Sequence, residues 1–164
     1  MALPVTITGL LVATTNVETF TKPFLSSAGN VYVFGKGTTT NLLRAFKATD
    51  PTSSFSNVGS DVTTTSTNAI VGVDAVQDGD NIHVVTMDAA AAATVDLRYH
   101  VFSMSSDTWT TSNETIVNDF AIVTLATAAH VSVNIRSDGD VIVLYNGPLV
   151  NIGAADRETV YYAR

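Results

Sequence analysis

The fold is decided by the segment Val71-Gly72-Val73-Asp74-Ala75-Val76-Gln77-Asp78-Gly79-Asp80-Asn81-Ile82-His83-Val84-Val85. Two runs rich in β-branched residues flank an Asp-Gly pair. This pair is the strongest short signal for a β-hairpin, because glycine adopts positive φ without steric cost. The segment therefore predicts two antiparallel strands joined by a tight turn at Gly79.

The same pattern occurs twice more, after Gly29 and after Gly139, so the anchoring glycines lie 50 and 60 positions apart. Each hairpin is followed by a further strand-like run, at 42–47, 96–102 and 159–164. The pattern predicts an all-β protein of three four-stranded antiparallel repeats, at about 18–62, 63–118 and 119–164. Regular repetition of such meanders favours β-propeller blades over a sandwich, within a single domain spanning 1–164.

The two ends of the chain suggest how the blades of a propeller would close into a ring. Residues 19–25 take the place of the first strand of the first repeat, so 4–12 is an extra strand. The third repeat stops at Arg164 after its third strand. Closed propellers have four to eight blades, so three cannot close. We expect a homodimer in which residues 4–12 of each chain complete the last blade of the other, giving six blades. The alternative is a longer protein that supplies the missing blades itself.

Composition excludes several classes of partner and chemistry. The formal net charge is −7 and no basic cluster occurs, so neither nucleic acid nor an anionic membrane surface is an expected partner. Cysteine is absent, which excludes disulfides, zinc–thiolate sites and cysteine nucleophiles. The first residues do not resemble a signal peptide. Composition leaves the compartment open, with a virion or an extracellular location favoured.

No arrangement of residues predicts catalysis, a metal or a cofactor. The pairs Asp78/Asp80 and Asp138/Asp140 could ligate calcium, but hairpin turns use the same residues. The three histidines are isolated, and no nucleophile elbow or phosphate loop occurs. The loops at 35–41, 59–67, 87–94, 118–130 and 146–156, which would share one face of a propeller, carry almost no charge. The sequence thus favours a protein that is not an enzyme.

Four residues are candidates for ligand binding: Arg98, Tyr99, Tyr161 and Tyr162. Exposed tyrosines can stack on sugar rings or form an oligomer contact. Tyr161 and Tyr162 are adjacent and should point to opposite faces of their strand. For Arg98 a structural role is the alternative, because it occupies the same repeat position as Arg44. Trp109, at the start of a fourth strand, should pack between repeats, with a ligand platform as the alternative.

Residues 78–85 and 97–102 and the segment Ser105-Ser106-Asp107-Thr108-Trp109 carry a family pattern. Through them the second repeat resembles the sialidase-like, or bacterial-neuraminidase-repeat, β-propeller superfamily. The family's Asp-box is Ser/Thr-x-Asp-x-Gly-x-Thr-Trp/Phe, and this version is shorter and lacks the glycine. The resemblance implies six blades. It does not carry over the family's three carboxylate-binding arginines, its Asp acid/base or its Tyr–Glu nucleophile.

Together these patterns lead to two hypotheses. The first is a non-catalytic module for recognition, with glycan as the favoured ligand, or for assembly, on a phage particle or an exported protein. The second is a sialidase-like glycoside hydrolase completed by a second chain.

Overall fold

The computed structural model describes residues 20–37, 42–50, 52–64, 70–91, 94–121, 130–146, 150–151, 156–157 and 160–163. All regular structure in these ranges is β, which confirms the all-β prediction. The thirteen strands are β1 (Phe24–Leu25), β2 (Val31–Lys36), β3 (Leu42–Ala48), β4 (Ser56–Thr63), β5 (Ile70–Asp78), β6 (Asn81–Ala91), β7 (Thr94–Ser103), β8 (Thr108–Ala121), β9 (Val131–Ile135), β10 (Val141–Asn146), β11 (Val150–Asn151), β12 (Asp156–Arg157) and β13 (Val160–Ala163).

Two of the sheets are four-stranded antiparallel meanders in sequence order. Sheet 1 is β1-β2-β3-β4 and sheet 2 is β5-β6-β7-β8, as expected for the first two repeats. An isolated bridge between Phe20 and Gly35 extends the β1–β2 pairing toward the N-terminus. Within the expected first strand at 19–25, the structure therefore has the two-residue strand β1 and the bridge at Phe20.

Sheet 3 has three strands among the described residues, in the order β9-β10-β13. The short hairpin β11-β12 lies in the chain between β10 and β13. Strand β13 pairs with β10 in the position expected of a third strand. The predicted extra strand at 4–12 lies outside the described residues, as does Arg164.

The three hairpin turns contain the glycines that the repeat predicted. Gly29, Gly79 and Gly139 have φ values of 83°, 57° and 89°, a region that other residues enter only with strain. The first and third turns each contain an equivalent hydrogen bond. The amide of Gly29 donates to the carbonyl of Ser26 and the amide of Gly139 donates to the carbonyl of Arg136, each at 2.9 Å. This common geometry supports the interpretation of these segments as repeats.

Among the described strands, sheet 2 lies between sheets 1 and 3. Because side chains alternate along a strand, Ile82 and Val84 of β6 face sheet 1, whereas Val85 and Met87 face sheet 3. Each fully buried side chain of this kind stabilises the fold by about 1.5–3 kcal/mol. The core toward sheet 1 comprises Phe24, Tyr32, Phe34, Leu43, Ala45, Val62, Ile70, Val73, Ala75, Ile82, Val84, Phe102 and Met104. The core toward sheet 3 comprises Val85, Met87, Val95, Leu97, Val131, Val133, Val143 and Tyr145.

Irregular pairing distorts the outermost strand of sheet 2. The register between β7 and β8 shifts at four points, and Asn113 within β8 has a φ of 58°. Such bulges twist a strand and redirect its side chains. In sheet 1, Gly59 of β4 has a φ of 69°, and a Cβ there would lie 3.0 Å from the carbonyl oxygen of Asp107. Gly59 thereby lets β4 approach sheet 2 closely.

Candidate functional site

A polar cleft lies between β4 and β8, the last strands of sheets 1 and 2. Its volume is about 430 Å³. The cleft is lined by Ser60, Asp61, Val62, Thr63, Thr108, Trp109, Ser112 and Asn113. Hydroxyl, amide and carboxylate groups surround a single aromatic side chain, a composition typical of sites that orient a small polar ligand.

Trp109 is fixed in place by aromatic neighbours. Its ring makes edge contacts with Phe102, Phe34 and His100, at centroid distances of 5.0, 5.8 and 5.9 Å. The side chain is partly buried against the core between sheets 1 and 2, which confirms that it packs between repeats. The same side chain lines the cleft, so the two roles treated as alternatives are compatible.

Two polar atoms of the lining residues have no hydrogen-bond partner in the described part of the chain. They are Nε1 of Trp109 and Oδ1 of Asn113, both buried. The Nδ2 group of Asn113 donates to the Thr63 carbonyl at 2.8 Å, and its backbone amide donates to Nδ1 of His100 at 3.2 Å. A buried polar group without a partner costs about 1–3 kcal/mol.

The charged residue of the lining is Asp61, and it is held in place. Nε of Arg44 donates to Oδ1 at 2.9 Å and Nη2 donates to Oδ2 at 2.6 Å, while Nδ2 of Asn57 donates to Oδ1 at 3.0 Å. The Arg44 hydrogen bonds lower the pKa of Asp61, so its carboxylate is ionised at neutral pH. Asp61 therefore gives one wall of the cleft a fixed negative group.

The turn that leads into β8 is anchored to sheet 1 by Asp107. The hydroxyl of Tyr32 donates to Oδ1 of Asp107 and Nζ of Lys47 donates to Oδ2, each at 2.7 Å. Burial raises the pKa of Asp107, but these two hydrogen bonds outweigh burial and hold the pKa below its ordinary value. In the Asp-box-like segment this aspartate thus has a structural role, positioning Thr108 and Trp109 at the cleft.

Two of the predicted binding residues, Arg98 and Tyr99, are not among the residues that line the cleft. Arg98 and Tyr99 are neighbours on β7 and point to opposite faces of sheet 2. Arg98 bonds to the Thr115 hydroxyl and to Asp96, whose Oδ2 lies 2.7 Å from its Nη2. The hydroxyl of Tyr99 lies 2.5 Å from Nδ1 of His83. These contacts are compatible with the structural alternative for Arg98.

The other two predicted binding residues belong to sheet 3. On β13, Tyr161 pairs with Tyr145 of β10, and Tyr162 pairs with Leu144. The side chains of Tyr161 and Tyr162 lie outside the described part of the structure.

A separate group of polar side chains is enclosed between sheets 1 and 2. Asp88 is fully buried, and neither carboxylate oxygen has a well-aligned hydrogen-bond partner among the described residues. Burial raises the pKa of Asp88 to about 7, although the nearby Thr64 and Thr86 hydroxyls lower it. Burial lowers the pKa of His100 to about 3, and its Nε2 lies 3.2 Å from Oγ1 of Thr86. Because Asp88 and His100 are closed to solvent, they offer no access to a substrate.

Among the turn aspartates, Asp80, Asp138 and Asp140 have partners within the protein. Asp80 accepts hydrogen bonds from the amide of Ser27 at 2.8 Å and from its hydroxyl at 2.5 Å. Asp138 and Asp140 form ion pairs with Arg136 at 3.1 and 3.7 Å. In the described ranges no three His, Cys, Asp or Glu side chains lie close enough together to hold a metal ion. A search of the same ranges for a long apolar helix able to cross a membrane found none.

Comparisons with protein-family models, with curated proteins and with solved structures found no match to this chain. The similarity to sialidase-like repeats therefore stays a prediction from the quoted motifs.

Of the cleft residues, sequence reasoning identified Trp109 alone. The others come from two Ser/Thr-rich segments, 60–63 and 108–113, that are 45 or more positions apart along the chain. Serine, threonine and asparagine are ordinary on exposed edge strands. The available signal was that both segments fall on fourth strands of neighbouring repeats, which would place them side by side.

Proposed function

We propose that this protein is a non-catalytic recognition module that binds glycan in the cleft between β4 and β8. The observation that carries this proposal is Trp109, held rigidly by Phe34, Phe102 and His100 while it lines a polar cleft. Sugar rings present C–H faces that stack on indole and hydroxyls that hydrogen-bond to polar side chains. A fixed platform also loses little conformational freedom on binding.

The non-catalytic part of the proposal rests on the carboxylates. A glycosidase needs two carboxyl groups about 5–10 Å apart across the scissile bond. Among the described lining residues Asp61 is the one carboxylate, and Arg44 occupies both of its oxygens. Asp88 has a pKa suited to acid catalysis, but it is enclosed between the sheets.

The architecture we propose is that sheets 1, 2 and 3 are consecutive blades of a propeller. Two observations support it: sheets 1 and 2 are meanders in sequence order, and sheet 2 packs against both neighbours. Two chains would then complete a six-bladed ring. In that arrangement β4 and β8 are outer strands of adjacent blades, and the cleft lies on the rim.

The experiment uses the fact that the chain contains one tryptophan. Intrinsic fluorescence therefore reports on Trp109 alone. We expect glycans selected on an array to change this emission saturably. Asn113→Gly, which tolerates the positive φ, should weaken binding at least tenfold, whereas Asn134→Gly, at an exposed position of β9, should leave it unchanged.

Two results would overturn the proposal. Absence of a saturable response to every arrayed glycan would remove the glycan assignment. Turnover of a fluorogenic sialoside, abolished by a single carboxylate substitution, would remove the non-catalytic assignment and favour the glycosidase.

A further inference from the structure

The face of sheet 1 that points away from sheet 2 carries buried apolar side chains. Val33 of β2 pairs with Phe46 of β3, and Val31 pairs with Ala48, in alternation with the residues that face sheet 2. Val33 is 5% exposed, and Phe46 and Ala48 are each 1% exposed. None of these three belongs to the core on either side of sheet 2. Val33, Phe46 and Ala48 therefore form a separate apolar patch, the outer patch.

The described strands do not account for the burial of the outer patch. The main contacts of sheet 1 with other described strands are those of β2 with β5 and of β4 with β8, and both are made with sheet 2. Neighbours within a sheet flank a side chain but leave its outer end open, so a sheet face is buried by a further layer packed on it. The outer patch is thus covered by residues of this chain that lie outside the described ranges.

The cover stops short of the edge formed by β1. Phe20 pairs with Gly35 and Leu25 pairs with Val31, which places both side chains on the same face as the outer patch. Phe20 is 50% exposed and Leu25 is 59% exposed. A layer as wide as a sheet would bury these two side chains as well. The cover is therefore narrow, on the scale of a single extended segment.

The composition of residues 4–12 suits such a segment. Val5 and Ile7 alternate with Thr6 and Thr8, so an extended backbone turns the two apolar side chains to one face and the two threonines to the other. A segment of this kind can bury one face on the outer patch and leave its polar face to solvent.

Chain connectivity places residues 4–12 within reach of the outer patch. Phe20 lies beside β2, and residues 13–19 can span about 23 Å when extended. Neighbouring strands lie about 4.8 Å apart, so this link can carry 4–12 from the edge of sheet 1 to its middle. The apolar stretch 122–129, in contrast, joins β8 to β9 and is tied to sheets 2 and 3.

We propose that residues 4–12 pack as an extended strap on the outer patch of their own chain, with Val5 and Ile7 against Val33 and Phe46. This inference is independent of glycan binding in the cleft. It is compatible with the proposed ring, because a strap on sheet 1 keeps backbone edges free to pair with β13 of a second chain.

The first test uses the absence of cysteine from the chain. Val33→Cys puts a small apolar side chain with a thiol into the outer patch. In the full chain it is combined with Val5→Cys, with Ile7→Cys or, as the matched control, with Thr6→Cys. A disulfide needs Cα atoms within about 7 Å of each other. Under mild oxidation we expect a bridge within one chain from at least one of positions 5 and 7, formed at least fivefold faster than from position 6.

The second test needs no bridge. The thiol of Val33→Cys should react slowly with a maleimide in the full chain, and at least tenfold faster when Ile7→Asp is added, because an unpaired carboxylate is not buried on an apolar patch. Thr6→Asp is the matched control and should leave the rate unchanged. Circular dichroism checks that each variant keeps its β structure.

Three results would overturn the inference. Bridges that join two chains, seen by non-reducing electrophoresis, would assign the cover to a second copy. Equal bridging rates from positions 5, 6 and 7 would exclude packing through one face of the segment. Equal maleimide rates with Ile7→Asp and Thr6→Asp would show that residues 4–12 do not cover the outer patch.

Discussion

Nζ of Lys47 in β3 lies 2.7 Å from the carboxylate of Asp107 in the turn between β7 and β8. This ion pair joins sheet 1 to sheet 2 at the point where the chain enters the strand that carries Trp109. The hydroxyl of Tyr32 binds the other oxygen of the same carboxylate. Sheet 1 therefore holds the Asp107 side chain at two points.

Asp107→Ala should destabilise the protein by about 2–4 kcal/mol. The substitution removes two charge-assisted hydrogen bonds and places alanine at a φ of 55°. Urea denaturation followed by circular dichroism gives the free energy of unfolding. Asp138→Ala, which breaks an exposed pair with Arg136, is the matched control and should cost less than about 1 kcal/mol. Equal costs for the two variants would contradict the proposed anchoring role.

Trp109→Ala should cost about 3–5 kcal/mol, the usual range for truncating a large aromatic side chain in a core. The reason is its packing against Phe34, Phe102 and His100. Thermal melts by circular dichroism measure the loss, since the variant has no tryptophan. Leu25→Ala removes a side chain that is 59% exposed and should change stability by about 0.5 kcal/mol or less. A Trp109 variant as stable as wild type would mean that its contacts with the core contribute nothing.

Gly59→Ala should destabilise more than Gly79→Ala. Both glycines have positive φ, but only at Gly59 would a Cβ meet other atoms, the Asp107 carbonyl oxygen at 3.0 Å and the Phe102 ring at 3.2 Å. The shared φ cost is about 1–2 kcal/mol. In urea denaturation, the loss of unfolding free energy for Gly59→Ala should exceed that for Gly79→Ala by about 1–2 kcal/mol. Overpacking adds a cost of that size. The opposite order would contradict the close approach of β4 to sheet 2.

The buried carboxyl of Asp88 should make stability fall as pH rises. Its pKa is raised from 3.8 to about 7 on folding, so the folded state binds the proton more tightly. The stabilising effect of that proton is complete below pH 4 and lost as pH passes through 7, a difference of about 4 kcal/mol. Asp88→Asn removes this dependence and should be more stable than wild type at pH 8.

His100 changes stability in the opposite direction, so the comparison must be made between variants. Its pKa falls from 6.5 to about 3 on folding, and stability is therefore lost as pH drops below 6.5. The difference in unfolding free energy between Asp88→Asn and wild type cancels the contribution of His100, because both proteins contain it. Urea midpoints at pH 5, 6, 7 and 8 should show a difference that grows with pH. A constant difference would contradict the protonated, buried state of Asp88.

The chain should form a dimer in solution if the proposed ring of six blades is correct. Leu144 lies on the face of sheet 3 opposite sheet 2 and is exposed, which supports a contact there. Light scattering should give twice the chain mass, and Leu144→Lys or deletion of residues 1–14 should reduce it. Thr110→Lys, exposed on β8, serves as the control for added charge. A well-folded monomer from the full chain would exclude the dimeric ring.

The sequence predicts the sheets better than the site, for a physical reason. Strands and hairpins are encoded locally: Gly79 between alternating apolar runs specifies its own turn, and the β5–β6 register follows. The cleft depends on how two sheets approach each other. Gly59 and Asn113, whose positive φ values shape that approach, lie in Ser/Thr-rich stretches where no periodicity distinguishes them.

The prediction that Arg98 and Tyr99 bind a ligand likewise rests on local sequence. Arg98 and Tyr99 are polar or aromatic residues in the best-preserved repeat, but alternation sends them to opposite faces of sheet 2. The partners of Arg98, Asp96 and Thr115, lie two positions away on β7 and across on β8. Trp109 could be identified from sequence because so large an aromatic side chain must pack against other side chains or a ligand wherever it lies.

The position of sheet 2 between two others has a consequence for the order of folding. Each meander pairs strands that are consecutive in the chain, so hairpins can form quickly and with little loop-closure entropy. Docking of the sheets brings together residues far apart in sequence, such as Ser27 and Asp80. Sheet 2 has two apolar faces to cover, whereas the docking of sheets 1 and 3 covers only one face of each. We therefore expect sheet 2 to act as the nucleus on which the others assemble. Substitutions in β6 should slow refolding more than substitutions in β10.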